Sequence, residues 1–204
     1  MNHQNIRGTA GYGAQAQVLA AQYESVTFAD VHRDVMHLFP VTPCNVLDIG
    51  AGSGRDAAAL ARLGHRVTAV EPTAELRAEG QRLHADLPIV WCDDHLPALA
   101  HTRATGQRYG LILLTAVWMH LDTQERSTAM QALAALPAEG GRIVMSLRHG
   151  PVPEGRRMFD VSADETIALA ALHGLAVCHR SEREDMLGRE GVRWSFLGFN
   201  AGRV

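Results

Sequence analysis

Three glycines, Gly50, Gly52 and Gly54, follow a short apolar run in the stretch NVLDIGAGSGRDAAALARLG, residues 45–64. The pattern reads as a strand, a tight turn and a helix. Such a turn lets the backbone approach a ligand closely, and the helix that opens after it offers unbonded N–H groups to an anion. Acidic side chains accompany it. Asp48 lies inside the apolar run, where a carboxylate is costly without a partner. Glu71 closes RVTAVE and Asp93 closes IVWCD, each at the C-terminal tip of a strand pattern. A carboxylate at the first tip can accept from both hydroxyls of a ribose, and one at the second from an exocyclic amine. Ser53 and Asp56 have the spacing of an N-terminal capping box.

The dinucleotide fingerprint requires a third glycine three positions after the second. Arg55 stands there, which disfavours close helix–strand packing over a pyrophosphate without excluding a nicotinamide cofactor. The chain has no lysine, and all 19 basic residues are arginines. That removes the phosphate-loop lysine of nucleotide hydrolases, a Schiff-base lysine and a lysine general base. Fixed anion contacts must come from arginine, histidine or backbone N–H groups.

These groups must be held by alternating elements. Strand patterns fall at 45–49, 66–71, 89–92, 109–115 and 141–147, with helices near 54–63, 73–84, 95–103 and 123–136. YGLILLT, residues 109–115, is a nearly continuous apolar run, as in a central strand covered on both faces. Residues 14–39 read as two helices stopped by Pro40 and Pro43. Ser162 and Glu165 have capping-box spacing and open a last helix over 163–173, with Gly174 as its stop. Two more strand patterns, 175–180 and 192–199, are joined by a linker too short for a crossover helix, so they pair antiparallel. The expected fold is a doubly wound, mostly parallel, seven-stranded sheet with a C-terminal antiparallel hairpin and N-terminal helices. Residues 1–40 form a helical lid and 41–204 the main domain. The ligand belongs at the carboxyl ends of the strands.

Composition sets the outer bounds. The 204 residues are 47% hydrophobic and 20% charged, with a net charge of −3. No bulk charge draws nucleic acid, no apolar run spans a bilayer, and the N-terminus lacks a secretory h-region. Cys44, Cys92 and Cys178 are odd in number and widely spaced, which suggests free thiols in a reducing, cytoplasmic setting.

VLDIGAGSGRDA, VTAVEP, VWCDDHLP and YGLILLTAVWMH, taken in order, resemble successive motifs of the class I S-adenosylmethionine-dependent methyltransferases. The resemblance runs from about residue 40 to the C-terminus. It implies that Gly50, Gly52 and Gly54 line the methionine part of the cofactor. Glu71 then binds the ribose hydroxyls, Asp93 the adenine amine with Asp94 or His95 beside it, and Asp48 the amino group. Arg55 can fork onto the carboxylate, and Tyr12 or Tyr23 can cover the cofactor. No set of residues reads as a metal site.

The methyl donor is already activated, so such an enzyme mainly positions a nucleophile and, where needed, removes a proton. TAVWMHLD, residues 115–122, follows the fourth strand. It contains neither Asn/Asp-Pro-Pro-Tyr nor Pro-Cys, the marks of nucleic-acid methylation. Trp118 is expected to wall an acceptor pocket and His120 to act as base. Asp122 with Glu125 reads as a cap. MSLRHGPVPEGRR places Arg148 and His149 at the tip of the fifth strand, with Arg156 and Arg157 beyond. His149 is a second candidate base, and Arg148 and Arg156 are candidates for holding a small anionic acceptor. The rival expectations are a nicotinamide-dependent oxidoreductase and a non-catalytic cofactor-binding protein.

Overall fold

The computed structural model describes residues 11–202; the first ten residues of the expected lid lie outside them. Seven strands form one sheet: β1 Asn45–Ile49, β2 Arg66–Val70, β3 Ile89–Cys92, β4 Tyr109–Leu114, β5 Pro137–His149, β6 Leu175–Glu184 and β7 Arg193–Ala201. Their spatial order is β3-β2-β1-β4-β5-β7-β6. The pairs among β1 to β5 are parallel, while β7 runs antiparallel to both β5 and β6. Strand order reverses between β1 and β4, which opens a crevice at their carboxyl ends.

The central strands are apolar throughout because helices cover both faces. Successive residues of a strand point to opposite faces. Leu47, Ile112, Leu114, Ile143 and Met145 face one side, and pack with Met130 and Leu133 of α6 (Thr123–Ala134) and Ala170 of α7 (Ala163–Ala171). Val46, Leu111, Leu113 and Val144 face the other, against Ala57 and Leu60 of α3 (Arg55–Arg62) and against Val35 and Leu38. Helix starts follow their caps. Asp122 and Glu125 exchange both capping-box hydrogen bonds ahead of α6, and the Ser162 hydroxyl accepts from Glu165 N–H ahead of α7.

Several boundaries differ from expectation. The 95–103 helix shrinks to Ala100–Ala104, because Pro97 offers no N–H and Leu99 takes the left-handed conformation (φ 47°). The second N-terminal helix is only Phe28–His32. The chain then turns at Met36–Leu38 to bury Val35 and Leu38. β5 begins at Pro137, which pairs with Tyr109 before a register shift. β6 runs on to Glu184, with mostly exposed polar residues alternating along an edge strand. Among the described residues no helix is long and apolar enough to cross a membrane.

Leu113 is fully buried in the strand that both layers share. Leu113→Ala should lower the unfolding free energy by about 2–5 kcal/mol, read from urea denaturation. A loss below about 1 kcal/mol would show that this layer is loosely packed.

Candidate active site

A cavity of about 550 Å³ lies at the carboxyl ends of the parallel strands. Its wall is made of strand tips: Asp48 of β1 and Gly50 after it, Glu71 after β2, Asp94 after β3, Thr115 after β4 and Arg148 of β5. The N-terminal segment covers it with Tyr12 and with Tyr23 of α1 (Ala16–Glu24).

The turn after β1 depends on backbone shape. Gly50 has φ 69°, and a Cβ there would lie 2.5 Å from Val117 Cγ2. Gly52 donates its N–H to Glu71 Oε2 at 2.9 Å, and Thr73 N–H reaches Oε1 at 2.8 Å. Two backbone donors thus orient a carboxylate that is only 5% exposed, and burial pushes its pKa up. Gly54 was expected beside Gly50 and Gly52 but does not line the cavity. It is the left-handed cap of α3 (φ 85°), and a Cβ would meet the Trp91 ring at 2.8 Å.

Asp48 is buried and accepts from the backbone N–H of Ala57; among the described residues its Oδ2 has no partner. Desolvation, and then the nearby Asp56 charge, hold its carboxyl well above the usual range. Asp56 was expected to cap α3 and does not. Its Oδ2 accepts from His32 Nε2 and Thr115 Oγ1, both at 2.8 Å, and Oδ1 from Arg55 Nε at 2.7 Å. Burial raises its pKa, but His32 and Arg55 outweigh that and hold it far below the usual range. Ser53 does not cap either; its hydroxyl donates to Glu24 Oε1 at 2.6 Å. Arg55 lines the cavity, yet its Nε is given to Asp56 and its Nη1 to the Tyr23 carbonyl.

Beyond β3 the two acids separate. Asp93 accepts from Arg77 Nη2 at 3.1 Å and is not part of the cavity wall. Asp94 and His95 are part of it. The Asp94 carboxylate takes Thr102 N–H and hydroxyl and His95 N–H.

On the other side, Trp118 does not wall the cavity as expected. It is fully buried in the core beneath its own loop. Val117, Met119 and His120 line the cavity instead. Ala116 holds φ 60°, and its N–H donates to Ser146 Oγ at 2.9 Å. His120 Nδ1 lies 2.8 Å from the Arg157 carbonyl. A carbonyl only accepts, so Nδ1 carries the proton and Nε2 is left to accept the Tyr12 hydroxyl at 3.1 Å. Burial pulls the His120 pKa down and keeps the ring neutral near pH 7. His149, the other candidate base, is turned away from the cavity and hydrogen-bonded to Ser195 Oγ at 2.7 Å.

Arg148 lines the cavity at 9% exposure. Among the described residues its one hydrogen bond runs to the Gly150 carbonyl at 3.5 Å, and no carboxylate forms an ion pair with it. Burial, and then the Arg189 charge, push its pKa down. Arg156 stacks on the Tyr12 ring at 3.8 Å and donates to Gln15. Arg157 is not part of the cavity wall and pairs with Asp122 and Glu125. The cavity is therefore divided by charge. Asp48, Asp56, Glu71 and Asp94 against Arg55 mark the β1–β3 side; Arg148, Arg156, Arg183 and Arg189 against Asp185 mark the β5–β7 side.

Residues 46–141 match the family model described as a methyltransferase domain. No curated protein matches the chain in sequence. Among solved structures, it is similar to the N-methyltransferase NodS of Bradyrhizobium japonicum in complex with S-adenosylhomocysteine. There the identity is 16%, 94% of this chain and 98% of that one are covered, and the TM-score is 0.68. A TehB-like methyltransferase of Corynebacterium glutamicum matches at 18% identity, with 92% and 98% covered and a TM-score of 0.67. The Burkholderia thailandensis 1,6-didemethyltoxoflavin N1-methyltransferase matches at 21% identity, with 95% and 92% covered and a TM-score of 0.61. The family model thus marks residues 46–141, over the glycine turn and the central strands, as a methyltransferase domain, and the solved structures share its fold along almost the whole chain.

Proposed function

We propose that this protein transfers the methyl group of S-adenosylmethionine to a small anionic acceptor, and the observation that carries this reading is the division of one cavity by charge. The chain's own residues suit the donor. Glu71 is oriented by two N–H groups and keeps lone pairs for the ribose hydroxyls. The unpartnered Asp48 Oδ2 faces the amino group. Asp94 and His95, in place of Asp93, border the adenine. Gly50 and Gly52 bring the backbone against the methionine part, and Tyr23 covers it. When bound, the donor supplies a methyl group activated by a sulfonium. Similar structures support this pocket: the NodS protein is described with S-adenosylhomocysteine, and the Burkholderia enzyme with S-adenosylhomocysteine and its own small substrate.

The residues on the opposite side serve the acceptor. Arg148 holds its anionic group with a guanidinium that has no ion-pair partner among the described residues. His120 receives a proton at Nε2, either after the Tyr12 hydroxyl is displaced or through that hydroxyl. Met119 and Met158 give the site apolar walls that exclude water. The N-terminal helices, with the 149–161 loop, act as the cover, and three free cysteines suit a cytoplasmic setting.

Calorimetry with S-adenosylmethionine, S-adenosylhomocysteine and NAD is the direct test, with both adenosyl ligands expected to bind and NAD not. Absence of adenosyl binding to a folded sample contradicts the proposal. Glu71→Ala should weaken S-adenosylhomocysteine by about 1–3 kcal/mol, through lost charge-assisted hydrogen bonds. Arg148→Ala should leave that affinity nearly unchanged and impair only turnover on anionic acceptors.

The proton-transfer role has its own readout. A depressed His120 pKa leaves the base neutral above that value, and activity is lost as pH falls through it. In NMR titrations of the ring, His120 should titrate below its ordinary value. Tyr12→Phe should move it upward, because the hydroxyl bonds only the neutral form. Titration above the ordinary value would exclude His120 as base at neutral pH.

A further inference from the structure

The turn between β6 and β7 is built around one carboxylate. Asp185, with a side chain only 3% exposed, accepts from the N–H groups of Leu187 and Arg189. It also accepts from Arg189 Nε and Nη2 and from Trp194 Nε1. Burial alone raises its pKa, but the bonds from Arg189 and Trp194 win and hold it far below the usual carboxylate range. A turn tied by so many charge-assisted hydrogen bonds has a defined shape before any ligand arrives.

That shape holds two large apolar side chains in contact with water. Met186 and Leu187 are 38% and 45% exposed, and both line the cavity. The turn also abuts the strand that carries Arg148. A Cβ at Gly150 would lie 2.2 Å from the Gly191 carbonyl oxygen, so the two segments touch just beyond the arginine. A cation without an ion pair among the described residues and a held apolar surface therefore share one end of the cavity.

We propose that Met186 and Leu187 form the specificity wall for the acceptor, which is an amphipathic monoanion: its carboxylate sits on Arg148 and its hydrocarbon part is covered by this turn. The assignment rests on the acceptor side of the cavity being the one proposed above. An apolar body near the turn gains by leaving water together with the two side chains, and selectivity follows from the length and shape of that body.

The test uses sodium acetate, sodium hexanoate and 1-hexanol as probes, measured by calorimetry on the full chain with and without S-adenosylhomocysteine. Each methylene that leaves water is worth roughly fourfold in affinity, so hexanoate should bind about tenfold or more tighter than acetate. It should also bind tighter than 1-hexanol, which lacks the charge. The exposed-site double variant Met186→Ser/Leu187→Ser should erase most of the hexanoate advantage and leave acetate and S-adenosylhomocysteine unchanged. Equal affinity for hexanoate and acetate, equal affinity for hexanoate and 1-hexanol, or a full hexanoate advantage in the double variant would each overturn the proposal. Loss of S-adenosylhomocysteine binding in the native chain would instead contradict the donor assignment, and the acid series without that ligand would still decide the wall.

Discussion

Asp56 is the constraint on which the site depends. A carboxylate buried in α3 would be expelled from the protein interior without partners. Here it has three: His32 of α2 (Phe28–His32), the adjacent Arg55, and Thr115 just after β4. Removing one member of such a buried network leaves an uncompensated charge, at a cost of roughly 3–5 kcal/mol. The same carboxylate therefore anchors the N-terminal helices, the helix after the glycine turn and the start of the loop after β4. It also sets the local electrostatics. Its retained charge, after burial itself, helps to push neighbouring Asp48 toward the neutral form.

Around that hub the parallel sheet supplies position and the strand tips supply chemistry. β1 and β2 are joined at their ends by Glu71, which draws in the backbone of the glycine turn. β5 and the antiparallel hairpin contribute arginines to the far side. Under the proposed function this polarity suits a reaction between a cationic methyl donor and an anionic acceptor, with the two charged sides facing one cavity. A neutral His120 beside the divide completes an arrangement in which most of the work is orientation.

The parts of the site legible in the sequence are those set by local backbone demands. Gly50 and Gly52 were readable because only glycine tolerates their conformation so close to Val117 and Tyr23. Glu71 was readable because a strand ends there. The errors fall mainly between neighbouring residues. Arg148 faces the cavity while adjacent His149 binds Ser195, since successive strand residues point to opposite faces. Of the two expected acids after β3, Asp94 lines the cavity and Asp93 does not, and Val117 and Met119 flank the cavity while Trp118 fills the core, because a turn decides direction at the level of one residue. Asp56 carried capping-box spacing, and nothing local signals a histidine 24 positions earlier that claims its carboxylate. The Asp185 turn was hidden for a similar reason: the SEREDMLGREG stretch read as a polar linker, and the indole that orders it comes from the next strand.

The most direct measurement is a crystal structure with S-adenosylhomocysteine bound. The account expects the ribose on Glu71, the adenine bordered by Asp94 and His95, and the sulfur facing the space between His120 and Arg148. An adenosyl group resting on Arg148, with Glu71 and Asp48 uncontacted, would contradict the division of the cavity and the function drawn from it.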